Sequence, residues 1–265
     1  MSLTVKEIFM NIAPAHYADA ALLANTIGQE MLTRLDWVAL KPQVVLDVGC
    51  GTGFFTRALQ ERYPEAQVLA VDNAYPMLQA AAQQADAATY LCADAYALPL
   101  GDQSVDLIFA NLLLPWCDDL EKLMREWRRV LRKDGLLVFT SFGPDTLRVW
   151  REELGNLMLP NFIDMHLVGD VLTKSRFADP VLDVDYFTLT YRDSADLFRE
   201  LHHGGILLTD EFILQNPEAG LTEEGIYPAA FEVVYGHAFG PDVMVDQVAD
   251  AMGVVSIPLS RLRRR

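Results

Sequence analysis

Val44-Val45-Leu46-Asp47-Val48-Gly49-Cys50-Gly51-Thr52-Gly53 decides how the rest of this chain is read. An apolar run of strand length leads through an acid into a glycine turn. An amphipathic segment follows, Phe54-Phe55-Thr56-Arg57-Ala58-Leu59-Gln60-Glu61-Arg62-Tyr63. The order is strand, tight turn, helix. Glycines let a backbone curl through positive φ and let a ligand approach the main chain. The spacing is G-x-G-x-G, which differs from the G-x-G-x-x-G of a dinucleotide pyrophosphate site. No lysine follows the last glycine, so the turn is not a P-loop.

The next two strands carry acids at the same end. Gln67-Val68-Leu69-Ala70-Val71 runs into Asp72, and Ala88-Thr89-Tyr90-Leu91-Cys92 is followed by Ala93-Asp94-Ala95. An acid at the tip of a second strand can accept both hydroxyls of a ribose. One at the tip of a third can accept an exocyclic amine such as that of adenine. Each acid alone is more often a helix N-cap. Three in succession, beside glycines, describe a nucleoside pocket on the carboxyl edge of a parallel sheet.

The 265 residues suit a single domain with a lid. A hydrophobic content of 51% with 22% charged residues is that of a globular protein with a sizeable core. The formal charge of −16 argues against a nucleic-acid partner, which needs a basic surface. Cys50, Cys92 and Cys117 show no zinc spacing and no disulfide framework, as expected in a reducing cytoplasm. No apolar run reaches membrane-spanning length. No metal site is expected. His202-His203 are adjacent on a helix, point about 100° apart and lack a second ligand pair nearby.

In chain order, residues 1–40 read as one or two amphipathic helices capping the sheet, with Tyr17 either a packed aromatic or a lid. A helix from Tyr75 to about Ala85 turns Met77 inward. Val105–Ala110 is a fourth strand, ended by Asn111 and followed by Trp116. Leu120, Leu123, Met124, Trp127, Val130 and Leu131 form one apolar helical stripe, with Arg128, Arg129, Arg132 and Lys133 gathered at its C-terminal end. That cluster complements the helix dipole or docks an acidic partner. Leu136–Phe142 is a buried fifth strand. A helix begins in 162–172, a turn at Phe177-Ala178-Asp179-Pro180 enters a sixth strand to Tyr191, and a helix runs from Ser194 to His202. The long connection after it suggests a lid. Phe231–Phe239 is the last strand, and a tail ends in Arg261 and Arg263-Arg264-Arg265.

The D-x-G-x-G-x-G turn and the two following strand-end acids resemble class I methyltransferases that bind S-adenosyl-L-methionine. The resemblance implies a Rossmann-like α/β fold: a seven-stranded, mostly parallel sheet with strand seven antiparallel. It divides the single domain into an N-terminal helical cap (1–40), a cofactor-binding core (41–192), a lid insertion (193–226) and a last strand with its tail (227–265). It also implies a cofactor site of Asp47, Gly49, Gly51, Gly53, Asp72, Asn73, Met77, Asp94, Ala95 and Asn111.

A narrower likeness extends along nearly the whole chain. Ala15-His16-Tyr17, Asn111-Leu112, Trp116-Cys117, Phe142-Gly143-Pro144-Asp145-Thr146-Leu147, Leu189-Thr190-Tyr191, Tyr227-Pro228-Ala229 and Glu232-Val233-Val234-Tyr235-Gly236 resemble the malonyl-acyl-carrier-protein O-methyltransferases of biotin synthesis. This implies a methyl ester formed on a malonyl group borne by acyl carrier protein, in the cytoplasm, by a monomer that needs neither nucleic acid nor membrane. A carboxylate is already ionised at neutral pH, so no general base is expected. Where that family often has leucine, a basic residue and Gly-Ala-Asn, this chain reads Leu201-His202-His203-Gly204-Gly205. His202, Arg148 and Arg192 are therefore candidates to orient the carboxylate. Tyr17, Trp116 and Tyr227 are candidates to close the pocket. The alternatives are a small-molecule carboxyl or N-methyltransferase, or a cofactor-binding protein-modifying or assembly factor.

Overall fold

The computed structural model describes residues 5–84, 87–151, 159–208 and 220–240. The seven strands are β1 (Val44–Val48), β2 (Gln67–Asp72), β3 (Thr89–Cys92), β4 (Val105–Ala110), β5 (Leu131–Phe142), β6 (Ala178–Tyr191) and β7 (Tyr227–Phe239). They form one sheet in the order β3-β2-β1-β4-β5-β7-β6. The β1–β2, β2–β3, β1–β4 and β4–β5 pairs are parallel. The last strand runs antiparallel between β5 and β6, as expected. Strand order reverses between β1 and β4, and such a crevice is where open α/β sheets bind ligands.

Three helices precede the sheet, one more than the periodicity suggested: α1 (Val5–Asn11), α2 (Pro14–Ala20) and α3 (Leu22–Arg34). On α3, Leu23, Ile27 and Met31 face the core. Arg34 at its end crosses to the edge strand, where Nη1 donates to both carboxylate oxygens of Asp183 at 2.6 and 2.8 Å. Two charges on β6, Asp183 and Asp185, lie on an outer strand whose pattern alternates half-buried and exposed, which discourages edge-to-edge pairing.

Helices α4 (Phe54–Arg62) and α5 (Tyr75–Ala82) cover the first crossovers. Helix α6 (Leu120–Val130) begins at Asp119, whose Oδ1 accepts the Lys122 N–H at 2.9 Å. Its stripe buries Leu123, Met124, Trp127 and Val130 completely. The helix stops at Val130, earlier than the stripe implied. Leu131 is already extended and pairs with Val105, so Arg132 and Lys133 belong to a bulged start of β5. The reason is electrostatic as well as topological. Arg132 Nη1 bonds both oxygens of Asp106 on β4, at 2.7 and 2.8 Å. Arg129 is held by Glu126 and Asp102. Both arginines are thus spent inside the fold.

Helix α7 (Met165–Lys174) starts within the expected stretch, where Asp164 Oδ1 accepts the His166 N–H. The proposed turn at 177–180 is a bulge in β6: Asp179 has a φ of 48° and register shifts between Ala178 and Val181. Helix α8 (Ser194–His203) packs on α2, β6 and β7. Stacked imidazoles join it to α2, with His16 and His203 centroids 4.6 Å apart.

Two segments about ninety residues apart in sequence are knitted together where β5 ends. Gly143 N donates to Glu232 O at 2.8 Å, and the Glu232 carboxylate accepts the Asp145 N–H at 2.6 Å. Thr146 Oγ1 lies 3.1 Å from both the carbonyl and the N–H of Glu232. Leu147 N reaches Ala230 O, and Trp150 Nε1 reaches Pro228 O at 2.7 Å. A Cβ at Gly143 would sit 2.3 Å from the Glu232 carboxyl carbon, so only glycine admits this approach. The two most specific sequence motifs are therefore one clasp.

Candidate active site

The carboxyl ends of the strands open into a cavity of about 550 Å³, within the usual range for small-molecule sites. One half lies over β1, β2 and β3. Gly49 and Gly51 have φ of 74° and 53°, which a Cβ would strain. Gly51 N donates to Asp72 Oδ2 at 2.9 Å, and Ala74 N to Asp72 Oδ1 at 2.8 Å. Each Asp72 oxygen keeps a lone pair beyond these bonds. Asp94 Oδ1 accepts the Tyr96 N–H. Asp72, Asn73, Met77, Asp94 and Ala95 all line the cavity.

Asp47 lies deeper, beneath the turn, and lines a smaller adjoining space with Arg57 and Asn25. Its side chain is 2% exposed and accepts a 2.6 Å bond from Thr56 Oγ1. Burial, with the Asp72 charge adding, pushes its carboxyl up to about 7 against the pull of Thr56. Burial also raises Asp72, opposed by the N–H groups of Ala74, Gly51 and Asn73. Gly53 lines neither space. It is the residue before α4, with a φ of 80°, and its missing side chain admits Ala81 of α5.

Asn111 lines the cavity, but its amide is committed to the protein. Nδ2 donates to Ala24 O at 2.9 Å, and Oδ1 accepts from Thr140 Oγ1 at 2.7 Å. Thr140 Oγ1 also accepts the N–H of Leu112, whose φ is 53°. The residue expected to face a ligand thus ties α3 to the sheet.

Tyr17 lies against the glycine turn, where a Cβ on Gly51 would come 3.3 Å from its ring. Burial, then the charges of Asp72, Cys50 and Asp47, raise its phenol to about 12, so it stays protonated. Trp116 lines the other half of the cavity, with Phe9 edge-on at 5.3 Å. The remaining sequence candidates lie off the cavity. Arg148 is 78% exposed and 3.6 Å from Asp145. Arg192 is exposed on the loop before α8. His202 Nδ1 is 3.2 Å from Leu207 O in its own turn. Tyr227 is 9% exposed and packs on Trp150 in β7.

Among the lining residues absent from the sequence candidates, four carry a phenol or a carboxylate: Tyr96, Asp118, Tyr191 and Glu200. The Tyr191 hydroxyl is buried and finds no hydrogen-bond partner among the described residues, while the residue itself lines the cavity. Burial and then Glu200 hold its phenol above the usual value. Its signal was its place at the end of a strand, in a segment quoted only for its likeness. The lining carries Asp72, Asp94, Asp118 and Glu200, and no lysine, arginine or histidine among the described residues. The same residues hold no cluster suited to a metal ion, and none of their helices is long and apolar enough to cross a membrane.

Comparison with known proteins agrees with this geometry. Residues 46–139 match the family model described as a methyltransferase domain. Among solved structures, a phosphoethanolamine N-methyltransferase from Haemonchus contortus superposes with a TM-score of 0.60 at 17% identity, over 91% of this chain and 61% of that one. That likeness shows the fold. Among curated proteins, a malonyl-[acyl-carrier protein] O-methyltransferase of Methylovorus sp. is 40% identical over 88% of this chain and 87% of its own length. One from Coxiella burnetii is 35% identical over 97% and 94%. With relatives aligned along both the glycine turn and the clasp, the chain belongs to the family of malonyl-[acyl-carrier protein] O-methyltransferases.

Proposed function

We propose that this protein methylates the free carboxylate of a malonyl thioester on acyl carrier protein, using S-adenosylmethionine, as an early step of biotin precursor synthesis. The reading includes a cytoplasmic monomer. The observation that supports it best is a two-part cavity in a chain aligned with such enzymes almost end to end. Strand-end acids suited to a nucleoside stand at one end, and aromatic walls at the other.

The residues fit the cofactor. Gly49 and Gly51, bare of side chains at positive φ, line the cavity beside Asp72 and Asp94. Bound there, S-adenosylmethionine supplies an electrophilic methyl group on a sulfonium. Asp72 would accept the ribose hydroxyls through its spare lone pairs, and Asp94 the adenine amine. Tyr17, neutral at working pH, would cover the turn. Trp116, Phe142 and Phe231 would exclude water from the acceptor half. An ionised carboxylate needs no proton removed, and the described lining residues include no histidine to remove one. Positioning would then supply the catalysis, roughly 7–11 kcal/mol where reacting atoms are held in line. Within the 193–226 insertion, helix α8 would form part of the lid, and 209–219 lie outside the described residues.

Labelled S-adenosylmethionine offered with malonyl-acyl carrier protein, malonyl-coenzyme A and free malonate tests this. Ester label on the carrier protein, lost in Asp72→Ala, is the expected result. No label in any acceptor despite cofactor binding removes the substrate. One observation favours a second reading: four carboxylates with no cation among the described lining residues suit an amine acceptor, bound as its ammonium and giving a proton to one of them before its nitrogen attacks. Label transferred to amines in place of thioesters would establish a small-molecule N-methyltransferase.

A further inference from the structure

A carboxylate acceptor needs a cation to hold it, and the main cavity provides none among the described residues. The internal stretches 152–158 and 209–219 contain no lysine, arginine or histidine either. A second groove, of about 430 Å³, continues from the cavity through the shared residues Trp116 and Asp118. It lies on the acceptor side, after the ends of β4 and β5, and among the described residues Arg151 is the one basic residue lining it.

Arg151 is held by one edge. Its Nε donates to Thr146 O at 3.3 Å, and Nη2 donates to Thr146 O at 3.2 Å and to Pro144 O. Both carbonyls belong to the clasp, which Glu232 fixes in place. The guanidinium carbon lies 5.4 Å over the Phe162 ring, which fixes its plane. Among the described residues Nη1 has no hydrogen-bond partner, and no carboxylate pairs with the group. Asp118 lines the same groove without coming within ion-pair distance. A planar guanidinium anchored on one edge and open on the other is a ready fork for two oxygens of an anion.

We propose that Arg151 binds the free carboxylate of the acyl substrate and orients it toward the cavity across Trp116. The assignment rests on the malonyl-methylating reading and replaces Arg148, Arg192 and His202 in that role. It also gives the clasp a purpose, since Pro144 and Thr146 set the angle of the fork.

Calorimetry on the full chain with S-adenosylhomocysteine bound tests this, using malonyl-pantetheine and its methyl ester. The wild type should bind the acid at least tenfold more tightly than the ester. Arg151→Met should weaken the acid by about 10- to 100-fold, the range for a charged hydrogen bond lost. The ester and S-adenosylhomocysteine should stay within twofold. Arg151→Lys should recover part of the loss. Equal weakening of acid and ester would show a structural role and overturn the proposal, as would a wild type that does not prefer the acid. Weakening confined to malonyl-phosphopantetheine would move Arg151 to the phosphate of the carrier arm and overturn the carboxylate assignment. A wild type that transfers no methyl group to any malonyl thioester fails the functional reading. A wild type that does so, with an unchanged Arg151→Met preference, fails only this one.

Discussion

Replacing Asp47 by asparagine removes an ionisable group from beneath the glycine turn while leaving an oxygen for the Thr56 hydroxyl. The carboxyl is 2% exposed, and burial first, then the nearby Asp72 charge, raises it from 3.8 to about 7. The folded state therefore holds this proton more tightly than the unfolded chain does. The stability it contributes is full below pH 3.8 and is lost as pH rises through about 7. A rise of about three units, at 1.36 kcal/mol each, makes the loss at most ~4 kcal/mol above neutrality. Asparagine has no such titration. The cofactor-free Asp47→Asn protein should match the wild type near pH 4 and gain on it steadily, to a few kcal/mol at pH 8. Urea unfolding of both proteins between pH 4 and 8 measures the difference, in which most other titrations cancel. Binding of the cationic cofactor should go the other way, because a cation favours the ionised carboxylate. Wild-type affinity should rise from pH 6 to 8, and the variant's should stay nearly flat. A pH-independent stability difference, or a wild type more stable than the variant at pH 8, would refute the reasoning.

Three further substitutions probe the same architecture. Gly53→Ala forces a left-handed φ of 80° and sets a Cβ 2.9 Å from that of Ala81, so a loss of about 1–3 kcal/mol is expected in chemical denaturation. Thr146→Val removes the hydroxyl that bridges the Glu232 N–H and carbonyl, and should cost about 1–3 kcal/mol for leaving buried groups unpaired. That variant should also weaken malonyl-thioester binding more than S-adenosylhomocysteine binding in calorimetry. Asn111→Ala cuts the links from the β4 end to Ala24 and Thr140, and amide exchange should accelerate along α3 while β5 stays protected.

The cofactor half was legible in the sequence because its parts are local. A strand, its terminal acid and the turn that follows are contiguous, and Asp72 and Asp94 repeat that pattern at the ends of β2 and β3. The acceptor half was not, because its geometry depends on contacts between distant segments. Both clasp motifs stood out along the chain, yet nothing in either says that Gly143 must face Glu232. Charge alone also does not distinguish one arginine from another. Arg148 and Arg151 lie three residues apart, one 78% exposed and the other drawn back onto Thr146 by its own turn. Arg132 and Lys133 looked like a helix end because the apolar stripe reaches Leu131. The pull of Asp106 on Arg132 across the neighbouring strand has no local signature. Asn111 was read as facing a ligand because a strand end usually does, while its partners Ala24 and Thr140 are remote in sequence.

The placement of β7 between β5 and β6 sets an order of assembly. During synthesis β6 leaves the ribosome with about 35 residues still to come before β7, its neighbour in the sheet, begins. Until then the five strands β3-β2-β1-β4-β5 can pair among themselves, while β6 has no edge to join. The acceptor side, including the clasp that aims Arg151, comes into being only when the final strand slides into the gap. A nascent chain would thus hold a nearly finished cofactor half before it owned any place for an acceptor.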